Sequence, residues 1–343
     1  MNSNYDTSLL KKVSRSFYLT IRILPRTVRY PISIAYMLGR TADTITDTNI
    51  IENSNKLELI NSLHKIISTK NPAGFNIFHE KIINFQNELS NEKILLNSIP
   101  QQIQFLSSLP SFEQTQIIRV MNNLIEGMKM DLSIFNSTND EKIQSLYTSK
   151  QLEDYIFFVA GSVGEFWTKI INKNTNAIND YEIDKMVELG IDFGKSLQLT
   201  NIIRDTADDL RNGRCYIPFT TLKNYKLNTS DLLSNSKRSQ TENLLQHLIK
   251  YTLKYFISSE KYIRMLPKNH LRLRLSILIP AAIGLQTLEL LLKEKNWLDT
   301  KTTKKISRFQ TYTLIIKCLF CVLSNQAIYF WMRTKIKRIK MKC

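Results

Sequence analysis

Apolar residues recur every three or four positions along this chain, segment after segment, and nowhere alternate over the length of a strand. No other feature narrows the fold so far. A chain patterned at that period buries one stripe of each helix and cannot line the face of a sheet. The helical segments fall at residues 32–50, entered beside Pro31, and at 55–69, with Leu57, Leu59, Ile60, Leu63 and Ile67 on the stripe. They continue at 112–135, at 152–171, where Gly161 and Gly164 give a face for close packing, and at 181–210, a long helix closed by Asn212, Gly213 and Pro218. Three more follow near 242–264, 271–295 and 303–338. Residues 71–75, with Pro72 and Gly74, read as a turn, 136–142 as a polar connector and 229–241 as a polar loop. With 9 Gly and 8 Pro in 343 residues, a many-turned sandwich or propeller is excluded. The fold expected is all-α, helices around a central core or cavity. Residues 1–300 form one domain, and 301–343 add a C-terminal helix and a basic, membrane-associated tail.

Lys and Arg number 47 against 30 Asp and Glu, a net charge of +17 that suits an anionic partner: nucleic acid, an anionic bilayer or a phosphorylated substrate. The basic residues are spread along the chain and form no recognised nucleic-acid module. Cys215, Cys318, Cys321 and Cys343 are too few and too clustered for a disulfide framework. The Cys318–Cys321 pair has no second pair to complete a zinc site, so buried thiols and a reducing cytoplasm are expected. The first residues hold no apolar run of the signal-peptide kind. The most apolar stretch, 311–332, is interrupted by Lys317, Ser324, Asn325 and Gln326, and reads first as a core helix and second as an interfacial one. Arg333, Lys335, Lys337, Arg338, Lys340 and Lys342 follow it, a cluster suited to anionic lipid or to plain solvation.

Two acidic motifs carry the chemistry: Asp43-Thr44-Ile45-Thr46-Asp47 and Asp205-Thr206-Ala207-Asp208-Asp209. In each, carboxylates at i and i+4 share one helix face, where like charges repel unless a cation offsets them. Oxygen-only ligands suit Mg²⁺. The alternative is a solvated acidic helix end, which the apolar neighbours Ile34, Met37 and Leu38, and Leu199, Ile202 and Ile203, argue against. Arg40, Arg204, Arg211 and Arg214 flank the motifs, and Arg15 lies near the N-terminus. Carboxylates for a metal and guanidiniums for phosphate oxygens are what a magnesium–diphosphate complex requires. No GxGxxG, Walker loop or GxSxG is present, and His64, His79, His247 and His270 do not pair at metal spacing.

These residues resemble the squalene/phytoene synthase family of head-to-head prenyltransferases, most like its bacterial squalene synthases. Val13-Ser14-Arg15-Ser16-Phe17-Tyr18-Leu19-Thr20 is similar to the family's N-terminal signature, and Ala35-Tyr36-Met37-Leu38-Gly39-Arg40 leads into its first aspartate motif. Gly127-Met128-Lys129-Met130-Asp131, Val159-Ala160-Gly161-Ser162-Val163-Gly164 and Gln198-Leu199-Thr200-Asn201-Ile202-Ile203-Arg204-Asp205 follow in the family's order, then Gly213-Arg214-Cys215-Tyr216-Ile217-Pro218. The likeness covers residues 10–290.

The resemblance implies an isoprenoid synthase-type helical bundle whose two aspartate motifs face each other across a cavity. Asp43, Asp47, Asp205 and Asp209, with Asp208 added, are implied as Mg²⁺ ligands. Ser14, Arg15, Ser16, Arg40, Asn201, Arg204 and Arg214 are implied around the diphosphates, and Phe17, Tyr36, Gln198 and Tyr155 along the cavity. Where the family often carries Tyr before its VAG element this chain has Phe158, with Tyr155 one turn earlier. A phenyl ring steadies a carbocation through its π face but moves no proton. The implied reaction joins two farnesyl diphosphates through a cyclopropylcarbinyl (presqualene) diphosphate and ends in NADPH reduction to squalene. Phytoene or dehydrosqualene without the hydride step, or presqualene diphosphate alone, are the alternatives within the family. A silent assembly factor is the alternative outside catalysis. The location implied is cytoplasmic, peripheral at the inner face of the membrane.

Overall fold

The helical period is realised almost throughout the computed structural model, which describes residues 17–47, 53–71, 75, 91–136, 143–234, 237–294, 296–299 and 306–343. Contacts divide the chain into two compact units. One holds residues 1–132 and 169–176, the other 133–168 and 177–343.

The first unit is built on α1 (Phe17–Ile23), α2 (Arg26–Asp47), α3 (Asn53–Thr69), α4 (Asn91–Asn97), α5 (Ile99–Ser107) and α6 (Ser111–Ile134, of which 133–134 belong to the second unit). Helix α2 packs against α1, α3, α4 and α5. It starts before Pro31, which is therefore interior and forgoes one ladder bond. Val28, Ile32, Ile34, Leu38, Ala42 and Ile45 form its buried face. Buried Gln102 ties three elements together, donating from Nε2 to Thr41 Oγ1 (3.1 Å), Ser98 Oγ (2.9 Å) and the Leu95 carbonyl (3.2 Å). Helices α4 and α5 were not expected, since each is too short to show its period. Most of the expected 71–75 turn and of the 136–142 connector lies outside the described residues.

The second unit contains α7 (Ser149–Ile156), a π-helical turn (Phe157–Gly161), α8 (Ser162–Thr175, of which 169–175 belongs to the first unit), α9 (Ile183–Arg211), α10 (Phe219–Asn224), α11 (Arg238–Met265), α12 (Leu271–Leu291), α13 (Arg308–Cys321) and α14 (Asn325–Lys342). Two residue pairs, Gln144 with Arg214 and Ser145 with Cys215, make a short parallel ladder of β1 (Gln144–Ser145) and β2 (Arg214–Cys215). Helix α9 is the axis of this unit and packs against α7, the π turn, α11 and α12. At two points of its seam with the VAG segment, backbone packs directly on backbone. A Cβ on Gly194 would stand 2.7 Å from the Ala160 carbonyl carbon, and one on Gly164 would stand 2.5 Å from that of Gly190. Gly213, at φ +75°, closes α9 in the left-handed conformation expected of a C-terminal glycine. Beside that seam Thr168 and Tyr262 share a 2.5 Å hydrogen bond, and elsewhere the buried Trp297 donates to the Thr241 carbonyl at 3.1 Å.

The single helix expected at 303–338 is two helices. Ser324 caps the second by accepting from the Ala327 N–H at 3.4 Å, and Asn325 accepts from buried Arg274 at 2.6 Å, which breaks the run at Val322–Ser324. Nor is the 311–332 stretch a core helix: of α13 only Cys318 is buried. Among the described residues one helix, α12, is long and apolar enough to cross a membrane, with a mean hydropathy of 1.4 over its best window. Leu273, Ile277, Leu278, Ala281, Leu285 and Leu288 of that helix are buried inside the unit. The basic residues after 332 do not form a free tail but line α14. Lys335, Arg338 and Lys342 bind Glu289 of α12, and Arg333 binds Glu260 of α11. Burial disfavours the Glu289 charge, but the lysines and Arg338 outweigh it and hold the carboxyl down at about 2.

Candidate active site

On α2 the core face takes Thr41, Ala42, Thr44 and Ile45, which leaves Tyr36, Arg40, Asp43 and Asp47 on one accessible stripe at spacings of four, three and four. Thr44 Oγ1 donates back to the Arg40 carbonyl at 2.9 Å, so the polar side chain between the aspartates is turned into the helix. Arg40 Nη1 lies 3.9 Å from Asp43 Oδ2. Although 49% of the Asp43 side chain is accessible, the surrounding protein strips water from its carboxyl, and Asp47 adds repulsion. Together they push its pKa up to about 6 against the opposing pull of Arg40.

Helix α9 repeats the design in the second unit. Leu199, Thr200, Ile202, Ile203, Thr206, Ala207 and Leu210 are buried. Gln198, Asn201, Asp205 and Asp209 remain half-accessible at spacings of three and four, with Asp208 on the open flank. Arg204 grips Asp205 with both arms, Nε to Oδ1 at 2.7 Å and Nη2 to Oδ2 at 2.5 Å. The hydrogen bond to Asp205 raises the guanidinium's pKa further. Arg214 sits half-buried on β2, just past the end of α9.

Tyr155 lies just before the π turn and Phe158 within it. Tyr155 is buried and stacks on Tyr216 at 5.0 Å, and Tyr216 meets Phe135 edge-on at 5.1 Å. Phe158 lies within the turn, half-accessible, its ring 5.9 Å from that of Phe157. A π turn inserts a residue into the helix and re-aims the side chains it carries, a device common at functional sites. Phe17 opens α1, and Ser14, Arg15 and Ser16 lie outside the described residues.

No sequence motif marked a fourth cluster. Glu153 of α7 accepts from Lys195 Nζ of α9 at 2.6 Å, from Tyr255 OH of α11 at 2.7 Å and from Tyr251 OH. Burial works against the Glu153 charge, but the hydrogen bonds prevail and hold its pKa below the usual carboxylate value. Burial and the carboxylate together push the Tyr251 phenol up to about 12. The cluster ties three helices together one turn before Phe158. Its members are scattered over roughly a hundred residues, so spacing gave no sign of it.

Among the described residues no three His, Cys, Asp or Glu side chains gather closely enough to hold a metal by themselves. The donor chemistry nevertheless fits Mg²⁺, which keeps its waters and takes one or two carboxylates plus substrate phosphates rather than an all-protein cage. Paired aspartates one turn apart, one of them reluctant to ionise, are such a half-site.

Residues 10–310 match the squalene/phytoene synthase family, and the chain belongs to it. The squalene synthase of Cyberlindnera jadinii is 25% identical over 312 residues, which cover 90% of this chain and 66% of that protein. A bifunctional lycopene cyclase/phytoene synthase of Pyrenophora tritici-repentis is 25% identical over 259 residues, 75% of this chain and 41% of that one. The chain thus spans between 41% and 66% of the length of these curated relatives. Among solved structures, TcSQS in complex with the ligand BPH1237 superposes with a TM-score of 0.76 at 21% identity, over 97% of this chain and 89% of that chain. The all-α, isoprenoid synthase-type fold expected from the sequence is borne out.

Proposed function

We propose that this chain is a squalene synthase: it condenses two farnesyl diphosphates head to head through presqualene diphosphate and reduces that intermediate to squalene with NADPH. The observation that carries the reading is the pair of stripes, Arg40–Asp43–Asp47 on α2 and Asn201–Asp205–Asp209 on α9, the latter clasped by Arg204. They put accessible carboxylates beside guanidiniums on two helices whose other faces are buried, in a chain of this family. Mg²⁺, bound with substrate, neutralises the leaving diphosphate. Asp43, Asp47, Asp205 and Asp209, with Asp208, are assigned to hold it. Arg40, Arg204 and Arg214, with Ser14, Arg15, Ser16 and Asn201, are assigned to phosphate oxygens, where planar guanidiniums bind two at a time. Phe17, Tyr36 and Gln198 are assigned to the prenyl chains. Phe158 offers a π face to the allylic cation, and Tyr155, fixed by its stack on Tyr216, supports it from one turn away. NADPH, when bound, supplies the closing hydride. The setting is cytoplasmic, peripheral at the inner face of a membrane that takes up the product.

The test is product analysis: protein, farnesyl diphosphate and Mg²⁺, with and without NADPH, the extract read by mass spectrometry. Squalene only with NADPH is expected. A C30 dehydro product in both tubes, or phytoene from geranylgeranyl diphosphate, would replace this reading with the second one. The phytoene synthase relatives, as similar in identity as the squalene synthases, favour that second reading. No product from either substrate would leave a silent assembly factor.

A further inference from the structure

Helix α14 turns several cations inward, while α13 turns an apolar stripe outward. The inward cations of α14 end on Glu260, which is 0% exposed, and on Glu289, which is 3% exposed. The outward stripe of α13 is Phe309, Tyr312, Ile316, Leu319, Phe320 and Leu323, at helical spacing and 49–80% exposed. It runs about 21 Å along the helix at 1.5 Å per residue. Scattered exposed apolar residues need no explanation, but a continuous stripe of six does. Its surroundings indicate what covers it. From Arg308 to Cys343 there is no Asp or Glu; Arg308 and Lys317 are exposed on α13 itself, and Lys337 and Lys340 are exposed on α14. A second copy would bring this cationic rim against itself, on a chain already at +17. An anionic lipid surface complements both the rim and the stripe.

We propose that the outward stripe of α13 is the membrane-docking surface, inserted among lipid acyl chains with Arg308, Lys317, Lys337 and Lys340 at headgroup level. The inward cations of α14 fasten the helix pair to its unit and do not bind lipid. This rests on the peripheral-membrane reading above and deepens it: insertion, rather than tail electrostatics, dominates the binding.

The experiment is flotation of the full chain with phosphatidylcholine vesicles, with and without phosphatidylglycerol, at low and high salt. The parent is expected to float with the mixed vesicles and to retain most binding at high salt. Phe309→Ser with Phe320→Ser, both fully surface changes, is expected to weaken binding at least about tenfold at an unchanged melting temperature. Lys337→Gln with Lys340→Gln is expected to weaken it by about threefold or less. Parental binding by the serine variant, with loss in the glutamine variant or in salt, would overturn the inference and leave an electrostatic tail. Stripe-dependent dimers in lipid-free solution would overturn it in favour of a second copy. A parent that floats with neither vesicle would remove the peripheral-membrane reading itself.

Discussion

Gly194→Ala puts the seam between α9 and the VAG segment to a test in which two effects carry opposite signs. In an ordinary helix interior, alanine is more stable than glycine by about 1 kcal/mol. At Gly194 the added methyl would lie 2.7 Å from the Ala160 carbonyl carbon and 3.1 Å from the Gly161 amide nitrogen. Both are backbone atoms that no rotamer change can move aside. Forcing a methylene into a filled site costs about 1–3 kcal/mol where side chains can yield, and here only helix displacement yields. The net expectation is a loss of about 2 kcal/mol, or roughly 4–8 °C in melting temperature for a unit of this size. Gly39→Ala on α2 is the control, because its methyl would meet only Leu124 Cδ1 at an ordinary 3.6 Å. That change should be neutral or stabilising by up to about 1 kcal/mol. Urea and thermal unfolding, followed by circular dichroism, read both. A Gly194→Ala protein as stable as its parent, or more so, would show that the backbones do not touch and would refute the reasoning.

Asp43→Asn should abolish turnover yet raise the melting temperature of metal-free protein at pH 7. Burial and Asp47 raise the folded-state pKa to about 6 from an ordinary 3.8, so the parent loses stability as pH climbs between those values and the variant does not. The gain should vanish below about pH 4 on a melting series, and an unchanged melting temperature at pH 7 would contradict it. Glu289 has the opposite sign. Its folded pKa is near 2, so its contribution is complete above the ordinary 4.5 and is lost as pH falls between the two. Glu289→Gln, which leaves buried Lys335 without its counterion, should cost about 3 kcal/mol at pH 7 and much less at pH 2, read by urea midpoints. Asp205→Asn should abolish turnover at near-parental stability, in a steady-state assay with Mg²⁺ varied, because its carboxylate is 41% exposed.

Much of the fold was legible because helical periodicity survives in any helix long enough to repeat it. The helices at 111–134, 183–211, 238–265 and 271–291 lie within a few residues of expectation. The aspartate stripes were legible for the same reason: four residues make one turn, and apolar neighbours fix which side is buried. The π turn was not, since inserting a residue changes the register of Phe157 and Phe158 without changing composition. The partners of the α14 cations were hidden by distance along the chain, Glu260 lying 73 residues from Arg333 and Glu289 lying 46 from Lys335. Without them, Lys335 and Arg338 read as part of a basic tail, lipid-bound or solvated, and the apolar stretch before them read first as core and second as interfacial. Hydropathy counts apolar residues but does not say whether protein or solvent faces them.

The four thiols divide by depth. Cys215 and Cys318 are buried, and desolvation pushes each up to about 12, so neither offers a thiolate in the folded protein. Cys321 and Cys343 keep partial access to solvent, one at the last turn of α13 beside the apolar stripe, the other just past α14. A maleimide fluorophore or spin label therefore has two native attachment points on the C-terminal helix pair and none in the interior. The unaltered sequence carries its own reporters of whatever surrounds that surface.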